Sequence, residues 1–508
     1  MSVISVMNLT VTESTFSGTN GTPPMFGIDL EPNRVEDRLE QIRIHNCTLN
    51  GNVGGGIQFG LHKLSEWGVP ALHETTIDIS YCTIDGSGPV TYKSGHHTVH
   101  RRRGIGPVST YGFLLAAGGY AKNSAGLKRL GARGAISISN CSVKYTLLQG
   151  ALVEDKPVEG NLSITFADVV FNKSCHYNSM LQNQLSKYAP PILVKRADGI
   201  DMGGQLRFRN CTVIDNHAKN RSFFATGASE SHSNRGELTD VHGTFAVSSS
   251  YGCFVQLGST SISNVSVVAT QCNIEPSART SMKADDSESR LVKSSAPPTI
   301  APAVLSIKTD DTMSLLPQIK TPPGIKCNDP DVANAACFGF DPMDSTVAVR
   351  AALAPNRSTI VIPKMSGPWI VGPMGDPAAM HLLHQKDMTI VLEPGVEIQA
   401  KRGDFHLKNQ RLLLIEDCSN ITILAYGSTM SMWRQDYANL TMYSKSEWRA
   451  GLAIYDSQHL KLLGLNISRT GGDGMTLTDV RNVYVKDAQL LNNYRQGPSL
   501  PKSLTLSK

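Results

Sequence analysis

The chain has 508 residues, 40 % of them apolar and 18 % charged, which supplies a sizeable core and argues against wholesale disorder. Its net charge of +5 is far from the dense basic stripe of a nucleic-acid binder, so no nucleic-acid partner is expected. No apolar run reaches the roughly 18 residues of a transmembrane helix, so no membrane span is expected, and Met1–Gly18 lacks the pattern of a secretory leader.

Short alternating strands start at Leu9-Thr10-Val11-Thr12 and recur along the chain. They include Ile42–Ile44, Ile77–Ile79, Ile136–Ile138, Leu162–Thr165, Leu206–Phe208 and Val265–Val268, then Ile421–Leu424, Leu460–Leu463 and Val483–Val485. Several turn at Asn, Ser or Asp and resume, as in Cys47-Thr48-Leu49, Cys82-Thr83-Ile84, Cys141-Ser142-Val143 and Cys211-Thr212-Val213. Period-2 patterning in pieces this short, inside a larger repeat of roughly 23 to 35 residues, predicts an all-β parallel β-helix solenoid. Hairpin signals are few, which disfavours a β-sandwich or propeller.

The rhythm divides the chain into coils over 1–274, a linker over 275–334, a cap with the first coils over 335–500, and a polar tail over 501–508. Residues 85–134 read as a basic, Gly-rich insertion with His96, His97, His100 and Arg101 to Arg103; without nearby cysteine or carboxylate this is a poor zinc signal. The linker is rich in Ser, Asp, Lys and Pro and is expected to be disordered. A short amphipathic helix is expected near Ser345–Leu353, followed by the strand Thr359–Pro363.

Ten cysteines are too few for a disulfide scaffold. Cys47, Cys82, Cys141 and Cys211 occupy one place in the repeat and read as core positions, whereas Cys327 and Cys337 can form a local disulfide. N-x-S/T sequons occur about twice as often as chance, at Asn8, Asn46, Asn140, Asn210, Asn439 and elsewhere. Together these features point to an extracellular or secreted glycoprotein, its leader not in this chain.

Phe340-Asp341-Pro342-Met343-Asp344-Ser345-Thr346, Ile360-Val361-Ile362-Pro363, Pro368-Trp369-Ile370-Val371 and Glu393-Pro394-Gly395-Val396 resemble the start of a pectin-lyase-like, right-handed parallel β-helix protein. Gly471-Gly472-Asp473-Gly474-Met475 and Tyr494-Arg495-Gln496-Gly497 are similar to its next coils, and Gly27-Ile28-Asp29-Leu30 and Gly54-Gly55-Gly56-Ile57 to those after. The resemblance spans roughly 430 residues and implies a short helix capping the first coil. The superfamily holds polysaccharide lyases, hydrolases, epimerases and non-catalytic surface proteins, so it implies no single activity. The order is permuted, with the family-like start at 335–497 and the continuation at 1–274. A circular permutant, two partial tandem copies and an imperfect gene model all fit this order. In a continuous solenoid, the coil of Gly474–Leu477 is expected to lie beneath that of Met1–Ile4.

Alignment of the coils on their glycines turns Met475, Leu477, Ile28, Leu30, Ile57 and Phe59 inward. Thr476, Ser2, Asp29 and Gln58 then form one outward column, with Glu31 on the same face and Asp473 and Arg495 beside it. Such a strip suits a polysaccharide, especially an acidic one. In a lyase, Asp29, Glu31 and Asp473 would bind Ca²⁺ or sugar hydroxyls, Arg495 would pair with a uronate carboxylate, and a base would take the C5 proton. In a glycoside hydrolase, Asp29 and Glu31, about 6–7 Å apart, or Asp473 with either, would be acid and base. Turn capping is the structural alternative for these residues. At the level of the whole protein, the alternative is a non-catalytic surface or matrix adhesion rod. Trp369, Trp433 and Trp448 either pack at the cap or stack on sugars.

Overall fold

Alternation of aliphatic and polar residues, with a turn every few positions, gives a chain that cannot bury its apolar face within one strand pair and stacks coil on coil instead. In the computed structural model, backbone and side chains are described over residues 1–87, 109–117, 126–154, 161–174, 191–194, 206–214 and 331–494, apart from 22, 23, 128, 355 and 356. Beyond these, only separate strands between 88 and 270 and Cys327 are placed. The described chain is all-β, with one short α-helix among these residues and long parallel sheets consistent with a β-helix-like solenoid.

The first sheet has twelve strands. It runs from Ala378–Leu383 through Arg411–Glu416, Leu452–Tyr455 and Met475–Thr478, passes to Ser2–Val3, and continues through Phe26–Leu30, Gly55–Gly60, Tyr111–Ala116 and Ala151–Glu154. The strands of 378–478 and those of 2–257 are therefore successive rungs of one stack, with Ser2 paired to Thr476 on one side and to Asp29 on the other. The expected seating of Met1–Ile4 on the Gly474–Leu477 coil is what the register shows.

The second set of parallel pairings builds the core. Met388, Ile421, Leu460, Val483, Leu9, Ile42, Ile77, Ile136, Ile164 and Leu206 pair in that order, one per coil. None is more than 4 % exposed. Each strand buries alternate side chains and sends the others outward, so a one-residue slip would invert both faces and the register is tightly specified.

Cys47, Cys82, Cys141 and Cys211 are free and buried. All four thiols donate to the carbonyl two residues back, Cys47 to His45 at 3.3 Å, Cys82 to Ser80 at 3.4 Å, Cys141 to Ser139 at 3.1 Å and Cys211 to Arg209 at 3.6 Å. The preceding Asn46, Asn140 and Asn210 take positive φ near 50°, a conformation asparagine tolerates better than most residues. The fold thus has its own use for Asn-Cys-Thr/Ser at this turn.

At the cap, Val332–Asn334 pairs in parallel with Thr359–Val361, so the last residues read as linker already belong to a coil. Cys327 and Cys337 are disulfide-bonded. The helix is Thr346–Ala352, its first turn held by Asp344 Oδ1 accepting from Thr346 N at 3.0 Å. Trp369 is fully buried, edge-on to Phe340 at 5.0 Å, and donates to Pro363 O, so it packs the cap.

The stretch read as one basic insertion is interrupted by Tyr111–Ala116, a rung of the first sheet between Gly55–Gly60 and Ala151–Glu154. Before it lie two antiparallel pairs, Ser87–Pro89 with Ile105–Pro107 and Tyr92–Ser94 with His97–Val99. His96, His100 and Arg101 to Arg103 fall outside the described residues, as do residues 275–326 of the linker and the 501–508 tail.

Near this region His62 sits in the short turn Leu61–Lys63. Burial, with the charges of Lys63 and Arg129, pushes its imidazole from 6.5 down to about 4. Above pH 6.5 the ring is neutral whether folded or unfolded. As pH falls from 6.5 towards 4, the unfolded chain binds a proton that the folded chain does not, so stability is lost across that window. His62→Gln is expected to retain about 2 kcal/mol more stability than the parent on going from pH 7 to pH 4. Urea midpoints at the two pH values check this, and equal acid losses in parent and variant would remove His62 as the cause.

Candidate functional site

Four neighbouring rungs of the first sheet place Thr476, Ser2, Asp29 and Gln58 in one in-register column. Their inward neighbours Leu477, Val3, Leu30 and Phe59 are at most 1 % exposed, so parity points the polar four away from the core. Backbone bonds fix the rungs, with Asp29 N donating to Met1 O and Glu31 N to Val3 O, each at 2.9 Å.

The column extends in both directions with apolar residues. Leu414 and Ala453 precede Thr476, and Leu114, Leu152 and Leu193 follow Gln58. Leu414 and Ala453 belong to one small apolar cluster on this outer side, and Leu114 and Leu152 pack with Phe26 in another. The four polar residues thus lie between short apolar stretches of the outward face, which turns polar again at His381 beyond Leu414 and at Glu416 and Glu154, two positions after Leu414 and Leu152.

The acids gather at that interruption. Asp473 Oδ2 accepts from Thr476 Oγ1 at 3.0 Å, and its backbone is locked by Asp473 N donating to Glu447 O at 3.3 Å and Gly451 N donating to Asp473 O at 3.0 Å. The turn needs glycine at 472, where a Cβ would collide with the Glu447 carbonyl. Glu31 reaches over Gly60, where a Cβ would lie 3.3 Å from Glu31 Cγ and 3.6 Å from Gln58 Nε2. The Met1 ammonium donates to Gly27 O at 2.8 Å; burial lowers it to about 6, against the pull of Asp473 and Asp29.

The structure therefore brings together Ser2, Asp29, Glu31, Gln58, Asp473 and Thr476. Arg495 lies outside the described residues. One feature differs from the sequence expectation of an open surface strip. Asp29 is 0 %, Asp473 2 %, Glu31 5 % and Gln58 7 % exposed. Alternation gives which side of a strand a residue takes, and it carries no information about whether that side is covered.

Sequence reasoning did not find the shelf beside Asp473. Arg449 is 1 % exposed, its guanidinium 4.7 Å over Tyr437 and 5.8 Å over Tyr443, and it donates to the His406, Leu407 and Ser444 carbonyls. That clamp fixes the loop carrying Glu447 and Trp448, and Trp448 is 49 % exposed. Trp433, by contrast, donates to Ala400 O and lies under Arg402, in a packing role. A lone arginine between tyrosines gives no signal of burial in the sequence.

Among the described residues, no group of three or more His, Cys, Asp or Glu side chains is arranged to hold a metal ion. A Ca²⁺ site built on three carboxylates is therefore not present among the described residues. No helix among these residues is long and apolar enough to cross a membrane.

No protein-family model matches the chain, and no curated protein is significantly similar to it.

Proposed function

We propose that the protein is a right-handed parallel β-helix of the pectin-lyase-like kind that recognises, and at Asp29, Glu31 and Asp473 cleaves, an extracellular uronate-bearing polysaccharide. The observation that carries this reading is the gathering of three buried carboxylates, Asp29, Glu31 and Asp473, on neighbouring rungs flanked by the apolar Leu414 and Ala453 on one side and Leu114 and Leu152 on the other. Buried ionisable groups cost stability, so a cluster of them is retained most readily where chemistry or binding uses it. In the lyase form, a carboxylate of the cluster takes the C5 proton, the C4–C5 double bond forms, and the C4–O bond breaks with the leaving oxygen protonated by a second carboxyl or by water, while a protein cation, for which Arg495 is the sequence candidate, balances the uronate charge. In the hydrolase form, one carboxyl donates to the glycosidic oxygen and another activates water. Secretion is supported by the Cys327–Cys337 disulfide and by sequon asparagines such as Asn8, Asn46, Asn140 and Asn439, all exposed.

The second reading is a non-catalytic adhesion rod, and the burial of the same column favours it, because a substrate must reach the acids to be cleaved. Incubation with pectate and alginate separates the readings. Release of unsaturated, ultraviolet-absorbing ends identifies a lyase, and new reducing ends without that absorbance identify a hydrolase. Retention on the glycan with neither product identifies the adhesive rod. Neither turnover nor retention on acidic or neutral glycans would overturn the proposal.

A further inference from the structure

The candidate site is assembled across a seam. Asp473 and Thr476 come from the 331–494 coils, whereas Ser2, Asp29, Glu31 and Gln58 come from the first rungs of the chain. Met475–Thr478 and Val480–Leu491 present one strand edge, and residues 2–17 present the edge that covers it.

The two edges match over the full coil. Ile4 N donates to Leu477 O at 2.9 Å, Val480 N to Ser5 O at 3.1 Å, Thr15 N to Ala488 O at 2.7 Å and Asn492 N to Ser17 O at 2.8 Å. Val3, Leu9, Val11 and Phe16 continue the core ladders of Leu477, Val483, Val485 and Leu490 without a shift. Outside, Lys486 meets Glu13 at 3.4 Å, Arg34 meets Asp479 at 2.8 Å, and Asn8 Nδ2 donates to Asn482 Oδ1 at 2.8 Å. Each of these bonds joins residues more than 400 positions apart, and none is covalent.

We propose that this seam is an exchangeable joint, and that the partner it fits besides its own chain is a second copy of the same protein. Nothing in the geometry of the two edges requires them to belong to one molecule. What favours the self-pairing is the tether between residues 270 and 331, which holds the edges at an effective concentration in the millimolar range. An unpaired edge of either piece is a template for any matching strand, and the best match present is the edge of another copy. A pair of chains that exchange pieces buries the same seams twice and completes two sites, each with Asp473 from one copy and Asp29 from the other. This inference concerns assembly and does not depend on the activity proposed above.

A specific protease recognition sequence inserted between Ile300 and Ala301 tests it on the folded full-length protein. After cleavage in native buffer, the two pieces are expected to co-elute in size exclusion as one species at the volume of the uncut chain, and to separate in denaturant. Cleaved protein of natural isotopic composition is then mixed with an equal amount of heavy-labelled cleaved protein and held a few degrees below the melting transition. About half of the complexes are expected to carry one light and one heavy piece by native mass spectrometry, the statistical result for free exchange. Uncut chain at high concentration under the same incubation is expected to yield a dimer that reverts slowly on dilution. Pieces that part in native buffer overturn the joint. Pieces that stay together but remain unmixed, while the uncut chain stays monomeric, overturn the exchange.

Discussion

Phe166→Ala is expected to lower the free energy of unfolding by about 3–5 kcal/mol. The Phe166 ring lies parallel to Phe208 at 4.9 Å, edge-on to Phe113 at 6.1 Å and tilted to Phe171 at 6.4 Å. All four are at most 1 % exposed. The substitution removes both the buried ring and its contacts in successive coils, and a solenoid core cannot collapse around the gap without shifting rungs above and below. Phe166→Leu keeps most of the volume and is expected to cost about 1–2 kcal/mol. Denaturant titration of both variants checks the pair; a cost below about 1 kcal/mol for the alanine variant would mean that the stack is not packed as described.

Asp29→Asn is expected to reduce turnover of an acidic polysaccharide by about 10²–10⁴-fold while the protein still folds. The first half follows from its central place among Ser2, Thr476 and Gln58, and the second from the isosteric amide, which fills the same space between rungs whose register is set by backbone pairing. Gln58→Leu is its companion. The next rung already carries Leu114 in the same column, so the leucine should be accommodated, with stability unchanged or raised and glycan affinity lowered. Full activity in Asp29→Asn would remove this column as the catalytic centre. Loss of activity together with loss of folding would assign Asp29 to the architecture.

Much of the fold was legible because the stacked parallel strands repeat the same local instructions. The Ile-x-Ile pairs at 42–44, 77–79 and 136–138 each state the period and the inward face, and the Asn-Cys-Thr/Ser turn marks where a strand ends and the next begins. The permuted seating of Met1–Ile4 on Gly474–Leu477 was also legible, since inward and outward positions on both sides of the break share one pattern. Tyr111–Ala116 was not read as a rung, because Phe113-Leu114-Leu115 is apolar on both faces and has no alternation to reveal it. Its outer leucine lies under cover, and a strand buried on both sides loses the period-2 signal.

Composition and spacing by themselves determined the strands, their inward residues, the short helix near Ser345–Leu353 and the column shared by Thr476, Ser2, Asp29 and Gln58. These are properties of neighbours along the chain and of a repeat that copies them. Only the tertiary structure decided that the column is buried, that apolar clusters around Leu414 and Ala453 and around Leu114 and Leu152 flank it, and that Arg449 pins the loop beside Asp473. Burial of an outer face depends on what packs across it from elsewhere in the chain, and no local pattern of residues encodes that distance.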